Sequence, residues 1–314
     1  MSTVVFTRLI QAGLILAILP TTGCSLKRLA VNQVGNALAA SGTTFASDND
    51  PELVKAAVPF SLKLMESLLA ESPEHAGLLR ATAGGFTQYA YAFVQQEADE
   101  IEEQDFAAAE TRRDRARRLY LRARDYGLRS IEVAHPGFQR TLGEDPARAV
   151  TPCRSEDVPS LYWTAVAWGA AISLSKDDPL TVVEIPQMEA LIDRALALDE
   201  DWNEGAIHAF LINYERSRQG AEGDAEARAR AHFARAVELS EARLAAPFVS
   251  LAEAVCVQNQ ALDEFEALLA QALAINPDAF PESRLVNLIM QRRAAWLLAH
   301  KEDLFVTGLP SGPR

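Results

Sequence analysis

Residues 161–179 read LYWTAVAWGAAISLSKDDP, and this stretch decides the fold class. It sets Tyr162, Trp163 and Trp168 among alanines and Gly169. Large rings beside very small residues indicate that two backbones approach each other closely. The stretch has no strand-like alternation and predicts a helix. One face of that helix carries Leu161, Thr164, Ala165 and Trp168, and another carries Trp163, Ala167, Ala170 and Leu174. Because both faces are apolar, we expect the helix to be buried on more than one side.

Composition extends this expectation to the whole chain. Of 314 residues, 49% are hydrophobic, 23% are charged and only 7% are aromatic. Runs of Ala, Leu, Glu and Arg favour helix, and alternating β-branched residues are nearly absent. The sequence therefore predicts an all-α protein. A net charge of −13 offers no excess of basic groups to neutralise phosphates, which argues against binding to nucleic acid.

The N-terminus has the pattern of an export signal. A single positive charge at Arg8 precedes a short apolar run, residues 9–19, and then small residues before Cys24. The end of this segment resembles a lipobox, so residues 1–23 are interpreted as a lipoprotein signal peptide and Cys24 as the lipidated first residue. Thr21 stands where leucine is usual, which leaves an ordinary secretory signal open. Ser25 in place of aspartate favours an outer-membrane anchor facing the periplasm.

The mature chain, residues 24–314, is predicted to form one all-α domain. N-terminal helices are expected over 26–135, a loop over 136–157 and helical hairpins over 158–305. Asp50 is predicted to cap a helix over 51–71, and Ser72 to cap the next one. The apolar face of the helix over 51–71 is predicted to consist of Leu53, Ala56, Ala57, Phe60, Leu64 and Leu68.

A weak repeat runs through these helices. It is the spacing small-x3-large-x2-small, in which the small residues seat a neighbouring helix. The matches, some of them loose, are Ser61/Met65/Leu68, Ala116/Tyr120/Ala123, Met188/Ile192/Ala195, Ala229/Phe233/Ala236 and Phe265/Leu269/Ala272. Their recurrence predicts a compact solenoid of cryptic tetratricopeptide-like helical hairpins.

The sequence offers little chemistry. The five histidines, His75, His135, His208, His232 and His300, show no metal-ligand spacing on one helical face, and no nucleophile or nucleotide-binding motif is present. We therefore predict no enzyme activity, no metal and no cofactor. Cys153 and Cys256 have no metal-ligand company in the sequence. After export they could pair with each other, or Cys256 could remain a buried thiol.

Two charged runs follow one another near the middle of the chain. The acidic run EADEIEEQD occupies residues 97–105, and the basic run TRRDRARR occupies residues 111–118. One interpretation is a solvated hairpin held by ion pairs. The other is a charged docking surface for a partner. The net acidity of the chain also suggests salt-dependent docking if a partner presents lysines and arginines.

Several strings resemble the T-component lipoprotein family of TRAP transporters (tripartite, ATP-independent periplasmic transporters), often called TatT. They are the DPELV entry at residues 50–54, the segment FTQYAYAF at 86–93 and the Leu161-Tyr162-Trp163 segment. The resemblance implies a periplasm-facing lipoprotein that forms homotrimers. It also implies a periplasmic solute-binding protein as partner and an apolar channel for a hydrophobic ligand. The family offers no catalytic residues to carry over.

Aromatic side chains are the candidates for lining such a channel, because hydrophobic-ligand pockets are rich in rings and poor in polar groups. They are Phe86, Tyr89, Tyr91, Tyr162, Trp163 and Trp168. The same residues could instead fill the core of a central solenoid helix. The predicted function is an accessory of a TRAP system, and the alternative is a general scaffold lipoprotein for envelope assembly.

Overall fold

The computed structural model describes residues 22–40, 42–175 and 179–306. Every regular element within these ranges is helical and none is a strand, which confirms the all-α prediction. The predicted signal peptide falls almost wholly outside the described residues. The backbone of Cys24 lies in the first described helix, but its side chain is outside the described set. Both features therefore stay predictions.

The helices of the described residues differ in length and are numbered in chain order. They are α1 (Thr22–Ala40), α2 (Gly42–Ala46), α3 (Pro51–Glu71), α4 (Ala76–Ala90), α5 (Gln96–Ile101), α6 (Phe106–Ala134), α7 (Phe138–Glu144), α8 (Pro146–Val150), α9 (Val158–Ser173), α10 (Pro179–Val182), α11 (Ile185–Leu198), α12 (Trp202–Tyr214), α13 (Ala225–Leu239), α14 (Ala246–Leu251), α15 (Leu262–Ala274), α16 (Arg284–Ala299) and α17 (Lys301–Leu304). Short π-helical turns, Tyr91–Gln95 and Ala252–Cys256, follow α4 and α14.

The predicted start of α3 is confirmed. The carboxylate of Asp50 accepts hydrogen bonds from the backbone N–H groups of Glu52 at 3.1 Å and Leu53 at 3.0 Å. The predicted cap at Ser72 is wrong, because the N–H of Ser72 donates to Leu68 O and ends α3. The next helix, α4, is capped by His75, whose Nδ1 accepts from the N–H of Leu78 at 3.1 Å.

The predicted apolar face of α3 is also wrong. Leu53 is 58% exposed and Phe60 is 74% exposed. The buried side chains are Val54, Leu62, Met65 and Leu69. Both sets have helical spacing, so the sequence pattern alone could not select the inner one. The outcome is a helix with one apolar face in the core and a second one in solvent.

The segment predicted as a loop over 136–157 is partly helical. It contains α7, α8 and a short 3-10 turn at Ser155–Asp157. The local signal is the pair Asp145-Pro146. The Asp145 carboxylate accepts from the N–H of Arg148 at 3.0 Å, and proline suits the first turn of α8.

The small-large-small spacing identified interior positions well. Ala116, Tyr120 and Ala123 are buried in α6. The other repeat residues that are fully buried are Met188, Ile192, Ala195, Ala229, Ala236, Phe265, Leu269 and Ala272. Helices α12 and α13 pack as neighbours, as do α15 and α16. The tetratricopeptide-like character of these hairpins stays a prediction.

The centre of the fold is the contact of α6 with α4 and α9. Gly127 of α6 lies so close to α9 that a Cβ built on it would be 2.1 Å from Thr164 Oγ1. On the other side of α9, the indole of Trp163 lies 3.1 Å from where a Cβ of Gly84 in α4 would be. Glycine at both points lets the backbones approach to a distance that a side chain would prevent.

The C-terminal helix α16 returns to the N-terminal half. The guanidinium of Arg293 reaches Asp99 at 3.3 Å and Glu253 at 2.7 Å. Arg292 of the same helix pairs with Glu100 at 2.6 Å. The side chain of Arg293 is only 11% exposed and is held away from bulk water, whereas that of Arg292 is 42% exposed. The ion pairs therefore join α16 to α5 and to the π-helical turn that follows α14.

We expect Gly127→Ala to lower the free energy of unfolding by about 3 kcal/mol, because the new methyl group would overlap Thr164. Urea unfolding measures this. Gly143→Ala is the matched control, since a Cβ there meets nothing within 4 Å. Thr164→Ala removes the clashing oxygen, so the double variant should recover part of the loss. Equal stability of Gly127→Ala and wild type would contradict the close approach.

Candidate functional site

The stretch over 161–174 lies in and just after α9, and the structure confirms burial on more than one side. Leu161, Thr164 and Ala165 on one face are fully buried, and so is Ala167 on the other. Its aromatic residues split between the core and a partly exposed edge: Tyr162 and Trp168 are buried, whereas Trp163 is half-buried. The helix thus provides rings to several neighbours rather than to one cavity.

Tyr162 and Trp163 form an aromatic trio with Trp202 at the start of α12. Ring centroids are 5.0 Å apart for Tyr162–Trp163, 4.7 Å for Tyr162–Trp202 and 6.4 Å for Trp163–Trp202. The edge-on and tilted ring orientations are the favourable ones for aromatic pairs. Burial raises the pKa of the Tyr162 phenol well above its usual range. The trio therefore joins two predicted channel residues through a ring from a later helix.

Trp168 has a different environment. Its indole Nε1 donates to Glu184 Oε2 at 2.7 Å, and Arg124 lies over the ring at 5.1 Å. Arg124 also pairs with Glu184 at 3.2 Å. The polar atom of the indole is therefore satisfied within the protein, and the ring is held by a cation above it.

Phe86 and Tyr89 belong to another part of the core, between α4 and α6. Phe86 stacks on Tyr126 with centroids 6.1 Å apart and the planes within 3° of parallel. Tyr89 contacts Phe93 at 5.8 Å. Phe86 and Tyr89 are buried, and each has an arginine of α6 over its ring.

Tyr91 does not join either group. Its hydroxyl points at Met290 Sδ of α16, 3.8 Å away, and the residue is 37% exposed. The six predicted channel residues therefore occupy separate environments. The sequence analysis grouped these residues by type. In the structure, Tyr89 contacts Phe93, whereas Tyr91, two residues further along the chain, contacts Met290.

A groove of about 450 Å³ runs along the outer side of α6. None of the six predicted channel residues lines it. Its lining residues are Arg118, Leu121, Arg122, Asp125, Tyr126 and Arg129. Sequence reasoning missed this groove, although the spacing of the arginines along α6 was visible.

The two charged runs form ion pairs, as one interpretation of the sequence expected. Arg113 reaches Glu102 at 2.6 Å, Glu110 at 2.8 Å and Asp99 at 3.3 Å. Burial raises the pKa of Asp99 despite these partners, while the hydrogen bond from Arg113 lowers the pKa of Glu102. The hairpin does not use the whole basic run, because Arg118 lines the groove instead.

Three potential metal ligands converge where α6 meets the start of α9. The donor atoms of His135, Cys153 and Asp157 lie within 4.8 Å of one another. This company for Cys153 was not visible in the sequence, because the three residues come from separate turns. Asp157 Oδ2 already accepts hydrogen bonds from His135 Nε2 at 2.8 Å and from the N–H of Arg154 at 2.9 Å. These two hydrogen bonds to Asp157 also fit a purely structural network that holds no metal.

The two cysteines with described side chains are free and buried. Cys153 lies in the cluster around α9, and Cys256 lies in the C-terminal cluster. Burial raises the pKa of the Cys153 thiol to about 11 and the pKa of the Cys256 thiol to about 12. Of the two states left open by the sequence, the structure has the unpaired thiols.

A pair of histidines joins α12 to α13. Nδ1 of His208 lies 2.8 Å from Nδ1 of His232, and Nε2 of His208 lies 3.3 Å from Glu200 Oε2. Burial lowers the pKa of both imidazoles, and Glu200 opposes this for His208. One Nδ1 donates a hydrogen bond to the other, so the ring that accepts is neutral.

The architecture is all-helical, and its two candidate binding sites are the aromatic trio and the groove along α6, which is lined mainly by arginines. Such composition is typical of a binding surface. No helix of the described residues has the length and apolarity needed to cross a membrane.

Comparison with known proteins gives the family. A family model described as TRAP transporter T-component, TAtT, matches residues 47–305, and the chain belongs to this family. A protein of Treponema pallidum (strain Nichols), described as "Uncharacterized protein", is 31% identical over 302 residues, covering 90% of this chain and 94% of that protein. Membership in this family makes the chain a T-component accessory protein of a TRAP system that is associated with the periplasm. The family is one of transport accessory proteins and is not known for enzymes.

The histidine pair predicts a pH dependence of stability. Because the folded pKa values are lowered, the unfolded chain binds more protons below the ordinary histidine pKa of about 6.5. The free energy of unfolding should therefore fall as pH falls through that value. His232→Asn keeps a hydrogen-bonding amide near His208 but cannot titrate, so it should make this decline shallower.

Urea unfolding between about pH 5 and pH 7.5 measures the slope. His75→Asn is the control, since asparagine can also cap α4 and the pair is untouched. Identical slopes for wild type and His232→Asn would show that the pair does not contribute.

Proposed function

We propose that the chain is the lipid-anchored T component of a TRAP system that docks the periplasmic solute-binding protein, assembles as a homotrimer and holds a hydrophobic ligand. The match of the family model to residues 47–305 carries this proposal. The anchor is the acylated Cys24, and the outer membrane is the proposed site of attachment. The aromatic and arginine composition of the candidate sites supports a role in binding.

The outer face of α3 supports self-association. Leu53 and Phe60 are large apolar side chains that are 58% and 74% exposed. Ala56 between them is exposed as well, so the apolar surface continues along the helix. Exposed apolar patches of this kind often mark protein interfaces. We assign this face to the contact between copies in the trimer.

The aromatic trio is the best-supported place for a hydrophobic ligand. Trp163 and Trp202 are only half-buried, so part of each ring is open to a ligand. Trp163 also lies tightly against the backbone of α4 at Gly84, which fixes one wall. Of the six sequence candidates, we propose Tyr162 and Trp163, joined by Trp202, as the ligand site. Phe86 and Tyr89 are buried beneath arginines. Trp168 and Tyr91 contact Glu184 and Met290 instead.

One measurement tests the assembly. Mild detergent extraction from native membranes, followed by native mass spectrometry, should give three chains, each with an acyl mass on Cys24, together with the solute-binding protein. A monomer, or recovery of outer-membrane assembly factors in place of the binding protein, would contradict the proposal. The second result would favour a general scaffold. Phe60→Glu should reduce the trimer to monomers.

A second measurement tests the ligand site. Trp163→Leu should lose most of an apolar compound that co-purifies with wild type, as read by native mass spectrometry. Trp296→Leu is the control, because Trp296 stacks on His300 at 4.5 Å in the C-terminal cluster. Circular dichroism must show both variants folded. Absence of any apolar compound on wild type, or equal retention by both variants, would remove the trio from consideration.

A further inference from the structure

Four arginines form a stripe along one side of α6. They are Arg115, Arg118, Arg122 and Arg129, which we call the arginine stripe. Steps of three, four and seven residues keep side chains on one face of a helix. With a rise of about 1.5 Å per residue, the stripe is about 21 Å long.

Three of the four guanidiniums lie over aromatic rings. Arg115 is 5.9 Å from the centroid of Tyr89, Arg122 is 5.3 Å from that of Phe86, and Arg129 is 5.3 Å from that of Tyr126. Stacking holds the planar guanidinium in place while its N–H edges stay available for bonding. The stripe is therefore preorganised for acceptors that arrive from solvent.

Other groups of the chain neutralise the positive charge of the arginine stripe only in part. Arg122 pairs with Glu66 at 3.2 Å, yet 47% of the Arg122 side chain is exposed. Arg129 donates to the carbonyl of Pro73 at 3.1 Å. Within the part of the chain that the structure describes, Arg115 and Arg118 have no carboxylate within 4.0 Å.

The carboxylates beside the stripe are already engaged. Glu66 also contacts Lys63 at 2.5 Å and accepts a hydrogen bond from Tyr126 at 2.9 Å. Asp125 in the groove pairs with Arg124 at 2.9 Å. Three arginines of the stripe, Arg118, Arg122 and Arg129, line the groove against one carboxylate, that of Asp125. The groove therefore keeps a positive surface on a chain of net charge −13.

We propose that the arginine stripe is the docking surface for an acidic face of a partner protein. In the proposed function, on which the partner's identity rests, that protein is the solute-binding protein, presenting clustered aspartates and glutamates. The length of the stripe exceeds what one small carboxylate needs, and arginine over aromatic rings is typical of interface hot spots. Elsewhere the acidic surface repels such a partner, so the stripe also sets its orientation.

The test measures binding of the full mature chain to the solute-binding protein of the same transport system at low and high salt. The double variant Arg115→Glu/Arg118→Glu should raise the Kd by about tenfold or more at low salt. The rise in Kd should be smaller at high salt. Arg140→Glu/Arg148→Glu is the matched control, because it makes the same charge change at exposed arginines of α7 and α8. The control should bind like wild type.

The outcomes separate this inference from the proposed function. If wild type binds and both double variants bind equally well, the stripe is not the docking surface, although the transport role stands. If wild type does not bind the solute-binding protein, the proposed function fails. Binding of poly-L-glutamate then tests the stripe by itself. If only Arg115→Glu/Arg118→Glu loses this binding, the stripe docks an acidic partner of another kind. Absence of polyglutamate binding, or binding only of free glutamate, would overturn it.

Discussion

The close approach of α6 to α9 is the constraint on which the rest of the structure depends. Gly127 leaves no room for a side chain beside Thr164, and Gly84 leaves none beneath Trp163. Because the backbones meet at these two points, α9 packs against both α6 and α4, which also contact each other directly, and is buried on more than one side. The same contact turns the rings of α4 toward α6, where the arginines stack on them. A wider helix spacing would separate those pairs.

The fold class and the burial of α9 followed from the sequence, because small residues beside large rings have few other solutions in a helix. The inner face of α3 did not follow. Leu53 and Phe60 have the same helical periodicity as the buried Val54 and Leu62, and only tertiary packing distinguishes them. Asp50 was predictable as a cap since its hydrogen bonds are local. His75 was not, because histidine is an uncommon cap whose Nδ1 replaces a carboxylate at this position.

The candidate site was predicted only in part. Tyr162 and Trp163 are adjacent in sequence and lie together, but their third partner, Trp202, comes from a later helix. Phe86 and Tyr89, two further channel candidates, are buried rings beneath arginines. The spacing of those arginines is visible in the sequence. The aromatic rings beneath these arginines, however, belong to α4 as well as to α6. The stacking therefore depends on how the two helices pack.

Arginines in this chain have two different roles, and the difference bears on how an acidic protein can bind another. Arg113 and Arg293 are enclosed by carboxylates, so their charge serves to close the fold. Arg115 and Arg129 lie over the rings of Tyr89 and Tyr126, which hold a cation without neutralising it. A positive surface can therefore persist on a chain of net charge −13. In the proposed docking, repulsion by acidic surface elsewhere on the chain favours the orientation in which an acidic partner faces the arginine stripe.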